Sequence, residues 1–191
     1  GVNGLGGASD VAISPDGNHA YATGSFDEMA VFSRNPATGA LTFIEAHVDN
    51  VGGVDGLDGA SAVTVSPDNN HVYVTGNVDN AVAVFNRNTG TGTLSFVEAE
   101  FDGQGDVDGL DGARHVLVSP KGTHVYIAGG DDSGIAIFGR NGTTGALSFI
   151  DAEINGTGGI NGLSVVQDVI VSPDNQNVYV VDGFGSTLAV F

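Results

Sequence analysis

Alternating apolar and polar positions run along the chain in short bursts, each closed by Gly, Asn, Asp or Pro. Residues 61–66 (Ser-Ala-Val-Thr-Val-Ser) alternate as a half-buried strand does. Pro67-Asp68-Asn69-Asn70 follows with turn chemistry. The same reading predicts a second strand over 71–75, where Val72 and Val74 flank Tyr73, and a turn over 76–80. A third strand over 81–85, a Gly/Thr turn over 88–92 and a fourth strand over 93–98 complete the unit. No helical apolar period lasts about ten residues anywhere, so the pattern predicts an all-β chain.

The unit repeats. Ser-Pro recurs at Ser14-Pro15, Ser66-Pro67, Ser119-Pro120 and Ser172-Pro173, in steps of 52, 53 and 53 residues. Tyr21, Tyr73, Tyr126 and Tyr179 follow at a fixed offset, and Phe32, Phe85, Phe138 and Phe191 close the third segment. Leu41 and Phe43, Leu94 and Phe96, and Leu147 and Phe149 mark the fourth. Tandem four-stranded units of this length predict a β-propeller of antiparallel blades, because one blade cannot bury both its faces and stacked blades can. The expected domain is a single propeller or propeller segment over 1–191, with blades near 4–55, 56–108, 109–161 and 162–191. The last blade stops at its third strand, so its outer edge should be covered by a strand from elsewhere.

Within Ser-Pro-Asp-Asn-Asn-His-Val-Tyr-Val-Thr-Gly-Asn, the run Tyr73-Val74-Thr75-Gly76-Asn77 resembles the YVTN repeat. That family includes surface-layer-type propellers and lactonase-like seven-bladed propellers, and the resemblance covers essentially the whole chain. A step of 53 residues is longer than the usual forty-odd, and the excess lies between blades. Seven or eight such blades would need roughly 370–420 residues. The chain therefore reads as a segment of a larger propeller, as half of a two-chain ring, or as a compact four-bladed ring. Its expected partners are further blades or a second copy of itself, with a protein or glycan ligand. It begins at Gly1 without an initiator Met, so it reads as a processed product or a fragment.

Composition narrows the function. Asp plus Glu number 23 against five Lys plus Arg, a formal net charge of −18. That disfavours nucleic acid and anionic membranes, which both need basic residues. No apolar run approaches the roughly 18 residues of a membrane span. No Cys is present, which removes thiol nucleophiles and zinc–thiolate sites. Gly-x-Ser-x-Gly and a phosphate-loop Lys-Ser/Thr are also absent.

The inter-blade segments are rich in Asp and Gly. Asp55 and Asp58, then Asp106, Asp108 and Asp111, are spaced as oxygen ligands of a calcium ion could be. Plain turn chemistry explains the same residues, and Asn3, Gly6, Asn161 and Ser164 replace the acids in the other copies. The loops between second and third strands share a face with these segments, so that face gathers acid. His19, His71 and His124 read as turn residues, and Arg34, Arg87 and Arg140 as scaffold or surface charges. Glu98 and Glu100 read as edge-protecting acids on the outermost strand.

The entry to the first strand breaks the repeat: Ser9-Asp10, Ser61-Ala62, Arg114-His115 and Gln167-Asp168. Asp10, Arg114, His115 and Asp168 form a polar set near the channel mouth, where a His between acids could act as general base or metal ligand. Near-identical copies and the surface-protein resemblance favour a non-catalytic, secreted or cell-surface scaffold or interaction module, with calcium as its one candidate cofactor. The alternative, implied by the resemblance alone, is a lactonase-like hydrolase using the channel-mouth set.

Overall fold

A computed structural model describes residues 5–158 and 160–191; Asn3 lies outside the described residues. Three four-stranded antiparallel sheets and one three-stranded sheet follow one another along the chain. Blade 1 comprises β1 (Ala8–Ile13), β2 (His19–Gly24), β3 (Glu28–Arg34) and β4 (Leu41–Val48). Blade 2 comprises β5 (Ala60–Val65), β6 (His71–Gly76), β7 (Ala81–Arg87) and β8 (Leu94–Phe101). Blade 3 comprises β9 (Ala113–Val118), β10 (His124–Gly129), β11 (Gly134–Arg140) and β12 (Leu147–Ile154). Blade 4 comprises β13 (Val166–Val171), β14 (Val178–Asp182) and β15 (Leu188–Val190). The architecture is the expected all-β propeller arc with an incomplete last sheet, and β15 has no outer partner among the described residues. Outer strand β8 runs three residues past the expected end. A bulge between Val84 and Phe85 restores its pairing with β7.

The first strands β1, β5, β9 and β13 neighbour one another in turn, so they are the innermost strands and line the channel. Side chains alternate across each sheet, and both faces of an interior blade are apolar. Between blades 1 and 2, Tyr21, Met29 and Val31 meet Val63, Val72, Val74 and Phe85. Between blades 2 and 3, Tyr73, Val82 and Val84 meet Val116, Val125, Ile127 and Phe138. Full burial of an aromatic such as Phe85 or Phe138 contributes about 1.5–3 kcal/mol. Each also meets the outer strand edge-on, Phe85 against Phe96 and Phe138 against Phe149 at 5.6 Å. The arc's two ends lack such partners. Val11 is 61% exposed where its repeat equivalent Val63 is 5% exposed, and Ile170, Leu188 and Val190 are exposed on blade 4.

A buried polar clasp joins neighbouring blades, and it corrects the reading of His19 and His71 as turn residues; His124 bonds Thr123 instead. Arg87 donates from Nε to Tyr21 Oη (2.6 Å), from Nη1 to Asn69 O (2.8 Å) and from Nη2 to Asp16 Oδ2 (2.9 Å). His19 Nδ1 faces the same Nη2 at 2.8 Å. Arg140 repeats the arrangement with Tyr73, Gly122, Asp68 and His71. Burial, then the Arg87 charge, lowers the His19 pKa; burial and Arg140 do the same to His71. Burial works to raise Asp16, but hydrogen bonds from Ser14 and Asn18 and the Arg87 guanidinium outweigh it and hold that carboxyl at about 2. Glu98 also does more than guard an edge: its Oε1 accepts from Leu147 N of the next blade at 2.7 Å, as Glu45 does from Leu94.

Candidate functional site

Every inner strand starts with a bulge. Ala8 pairs with Gly24 and Asp10 with Thr23, so Ser9 is the extra residue; Ser61, Arg114 and Gln167 are extra in the same way. A bulge re-aims a side chain at the rim of a sheet. In blades 1 and 2 the bulge residue is scaffold. Ser9 Oγ bonds Thr23 Oγ1 and donates to Ala60 O, both at 2.8 Å, and Ser61 does the same with Thr75 and Ala113 O. In blade 3 the serine is replaced by Arg114, whose Nη2 donates to Asp131 Oδ1 at 2.9 Å. Gly130 leaves room for that side chain, since a Cβ there would collide with Nε.

The next register position carries Asp10, Ala62, His115 and Asp168. His115 Nδ1 comes within 2.9 Å of Asp168 Oδ1 across the boundary between blades 3 and 4. The approach is off hydrogen-bond alignment, so it is an electrostatic contact rather than a formed hydrogen bond. Arg114 Nε is likewise buried without a hydrogen-bond partner. The structure thus shows two pairs at the inner-strand entry, Arg114 with Asp131, which the sequence reading left in a loop, and His115 with Asp168. Asp10 is not with them: its Oδ2 accepts from Val63 N of blade 2 at 2.9 Å and ties two inner strands together. No cavity closes over this group among the described residues. A His beside a carboxylate with a neighbouring guanidinium can take up a proton and balance developing negative charge.

The acidic segments assemble differently from their sequence spacing. Asp49, Asp55 and Asp79 bring carboxylate oxygens within 4.8 Å of one another, and Asp102, Asp108 and Asp132 do the same one blade on. Each group joins an inter-blade segment to the loop between the second and third strands of the following blade. Of the expected calcium ligands, Asp55 and Asp108 belong to these groups, whereas Asp58, Asp106 and Asp111 do not. The physical reason is the turn itself. Asp49 Oδ1 accepts from Leu57 N and Asp102 Oδ1 from Leu110 N, which folds each segment back onto its own start. Burial first, then the neighbouring carboxylates, raises the pKa of Asp79 and Asp132. Asp58 instead shares a hydrogen bond with Asp27, which with burial and the charges of Asp27, Asp79 and Asp49 pushes it up to about 6. Three carboxylates supply part of the six to eight oxygens a calcium ion takes. The signal for Asp49, Asp79, Asp102 and Asp132 lay in the shared loop face rather than in the local spacing.

The family model described as "Lactonase, 7-bladed beta-propeller" matches residues 11–161 and 99–191. Among solved structures, a protein described as a 6-phosphogluconolactonase from Bacteroides uniformis is 21% identical with a TM-score of 0.76, covering 96% of this chain and 49% of its own. A protein from Lactobacillus plantarum is 23% identical with a TM-score of 0.76, covering 96% and 53%. The periplasmic gluconolactonase of Pseudomonas aeruginosa is 24% identical with a TM-score of 0.66, covering 82% and 41%. At these identities the likeness establishes the fold, and the chain spans about half the length of the structures it matches. The family match overturns the expectation of a non-catalytic scaffold and the lean away from an enzyme, because the matched family is one of lactonases. Near-identical strands in the copies gave the sequence no single blade marked out as catalytic.

Proposed function

The chain belongs to the seven-bladed β-propeller lactonase family, and on that premise we propose that it forms part of a lactone hydrolase whose reacting groups are His115, Asp168 and Arg114. The observation that carries the residue assignment is the pairing of His115 with Asp168 across two blades, at a register position where the repeats diverge. Support for the reaction class comes from the family and from neighbours whose names include gluconolactonase and 6-phosphogluconolactonase. His115 takes a proton from water as the water oxygen bonds to the lactone carbonyl carbon. The ring C–O bond then breaks, the proton passes to the departing ring oxygen, and a hydroxy acid results. Asp168 offsets the transient imidazolium charge, and Arg114, which precedes His115 in β9, is assigned to balance the oxyanion.

The test is hydrolysis of a lactone panel by the wild type and by His115→Ala. A loss of about 10²–10⁴-fold in kcat is expected for removal of a general base. Unchanged turnover in a folded variant would overturn the assignment.

Two finer elements complete the proposal. The exposed end faces of blades 1 and 4 dock further blades of the same repeat, on a longer chain or a second copy. Their support is the 61% exposure of Val11 against 5% for Val63. The two acidic groups hold a divalent cation such as calcium, with Asp49, Asp55 and Asp79 in one and Asp102, Asp108 and Asp132 in the other. Native mass spectrometry with and without a chelator tests both.

A further inference from the structure

The clasp between neighbouring blades has two unlike halves, and the two outermost blades present one half each. Between blades 1 and 2, blade 1 supplies Asp16, His19 and Tyr21, and blade 2 supplies the donor, Arg87. Blades 2 and 3 repeat this with Asp68, His71 and Tyr73 against Arg140. In the other direction Tyr21 and Tyr73 donate from Oη to Gly92 O and Gly145 O of the following blade.

Blade 1 presents the donor half. Arg34 is half-buried and bonds Gly17 O, as Arg87 bonds Asn69 O and Arg140 bonds Gly122 O. Its guanidinium is therefore already posed, and among the described residues no acceptor of another blade meets it. A Cβ on Gly39, the counterpart of Gly92 and Gly145, would meet nothing within 4 Å, where at the other two it would strike a histidine of the preceding blade. Val11 and Ile13 are exposed on this side of blade 1.

Blade 4 presents the acceptor half. Blade 3 has Lys121 where blades 1 and 2 have Asp16 and Asp68, but blade 4 restores the aspartate as Asp174, with Tyr179 at the tyrosine position. Ser172 Oγ donates to Asp174 Oδ1 as Ser14 and Ser66 do to Asp16 and Asp68, so this carboxylate is posed as well. Tyr179 is only half-buried, whereas Tyr21 and Tyr73 are fully buried. Ile170 and Val190 pair with Tyr179 across the sheet and share its face, and both are exposed.

We infer that this chain pairs with a second copy of itself head to tail. The exposed face of blade 4 of each copy packs on the exposed face of blade 1 of the other, and Arg34 of one copy donates to Tyr179 Oη and Asp174 of the other. This pairing rests on the end-face docking proposed above, and it names the partner and the contacts. The joint repeats an interface that the chain makes twice within itself, with opposite charges meeting and apolar side chains leaving water on both sides. Each copy has one face of each kind, so two copies satisfy all four. The pair holds eight sheets, one more than the family description counts. Propellers of about four to eight blades use the same kind of four-stranded sheet. First strands neighbour one another throughout the arc, so β1 of one copy comes to lie beside β13 of the other, which carries Asp168. The pairing thereby walls the channel on the side of the contact between His115 and Asp168.

Sedimentation of the wild type and of Arg34→Glu, Asp174→Arg and Val11→Asp across a dilution series is the test. It is run at about 0.15 M salt, where a Debye length of about 8 Å screens the net charge of −18 on each chain. The wild type should dimerise. Each charge variant should weaken the dimer at least about a hundredfold, because like charges then meet at both joints. Mixed in equal amounts, the two charge variants should pair with each other, since one joint then keeps the native charges and the other reverses them. That recovery separates a lost contact from a lost fold. A wild-type monomer would overturn the pairing and leave end-face docking to blades on a longer chain. A dimer lost in Val11→Asp but indifferent to both charge variants would overturn the Arg34 contacts and leave the docking of the two faces standing. A dimer indifferent to all three variants would overturn the pairing and the docking together.

Discussion

Arg34, Arg87 and Arg140 occupy one repeat position, yet their surroundings differ, and the difference predicts unequal costs of removal. Arg140 is 1% exposed at its side chain and donates to Tyr73 Oη, Gly122 O and Asp68, with His71 against Nη2. Arg34 donates from Nη1 to Gly17 O at 2.8 Å, within its own blade, and among the described residues no tyrosine or aspartate of another blade bonds it. In Arg140→Met the methionine keeps most of the stem volume and deletes the donors. His71 then loses a partner in buried surroundings, at about 1–3 kcal/mol, and Gly122 O loses a half-exposed bond worth about 0.5–1.5 kcal/mol. Tyr73 Oη keeps its own bond to Gly145 O at 2.8 Å, so it adds less. Asp68, 37% exposed, is rehydrated, and its ion pair counts for about 1 kcal/mol at most. The total is about 3–5 kcal/mol, in the range for breaking a buried pair. Arg34→Met removes one half-exposed hydrogen bond, worth about 0.5–1.5 kcal/mol. Urea unfolding of the 1–191 chain measures both, with the midpoint shifting at constant m-value. A double-mutant cycle on Tyr73→Phe and Arg140→Met should show at least about 1 kcal/mol of coupling. Equal losses for Arg34 and Arg140, or coupling below about 0.5 kcal/mol, would refute the argument that the neighbouring blade's acceptors set the cost.

The equivalent glycines make a parallel comparison. Gly92 and Gly145 have φ of +78° and +79°, and a Cβ at either would strike His19 or His71, whereas Gly39 at +75° has open space. Gly92→Ala and Gly145→Ala should each cost about 2–4 kcal/mol in thermal unfolding and Gly39→Ala about 1 kcal/mol. For Asp58 the folded pKa is raised from 3.8 to about 6, so its contribution is fully present below pH 3.8 and lost as pH rises through 6. Asp58→Asn should therefore stabilise the protein at pH 7 by about 1 kcal/mol, after discounting for solvent screening, and give no gain at pH 4. His19 and His71 have lowered pKa values, so their contribution is present above pH 6.5 and lost as pH falls through the folded value; His71→Gln should flatten the acid limb of the stability curve. With a net charge of −18, unfolding midpoints should rise between 0.05 and 1 M NaCl, by about 1–2 kcal/mol in stability, as the screening length contracts from over 10 Å to about 3 Å.

The fold was legible because it is written four times. Tyr21, Tyr73 and Tyr126 in one register, with the Phe at the end of each third strand, leave no other architecture in which every copy buries the same side chains. The clasp was not legible. His71 and Asp68 lie 69 and 72 residues from Arg140, and only stacking brings them to it. As a result, His71 looked like a turn residue next to a Ser-Pro-Asp turn. The acidic groups failed for a related reason. Asp106, Asp108 and Asp111 alternate attractively along the chain, but the bond from Leu110 N to Asp102 closes the segment and sends Asp106 into solvent.

The channel-mouth candidates were picked out by the opposite route, as a break in the repetition. Residues facing another blade answer to the same packing in every copy, which is why Val63, Val116 and Val169 are all 5% exposed or less. The bulge residue and its successor do not carry one side chain through the copies: Ala62 is 3% exposed in the core between blades 2 and 3, whereas Asp10, His115 and Asp168 hold the same position. Ser9 and Ser61 tie neighbouring inner strands together, so serine is what the scaffold requires there. Arg114 and Gln167 forgo that tie, and Arg114 leaves its Nε buried without a hydrogen bond. Arg114→Ser separates the two demands. It should restore the inter-blade bond seen at Ser9 and Ser61 and raise stability by about 1 kcal/mol, the net worth of one hydrogen bond. It should also lower lactone turnover by about tenfold or more through loss of the cation at the oxyanion. A variant that loses both stability and turnover would show that Arg114 is scaffold after all, and the active centre would have to lie on another blade.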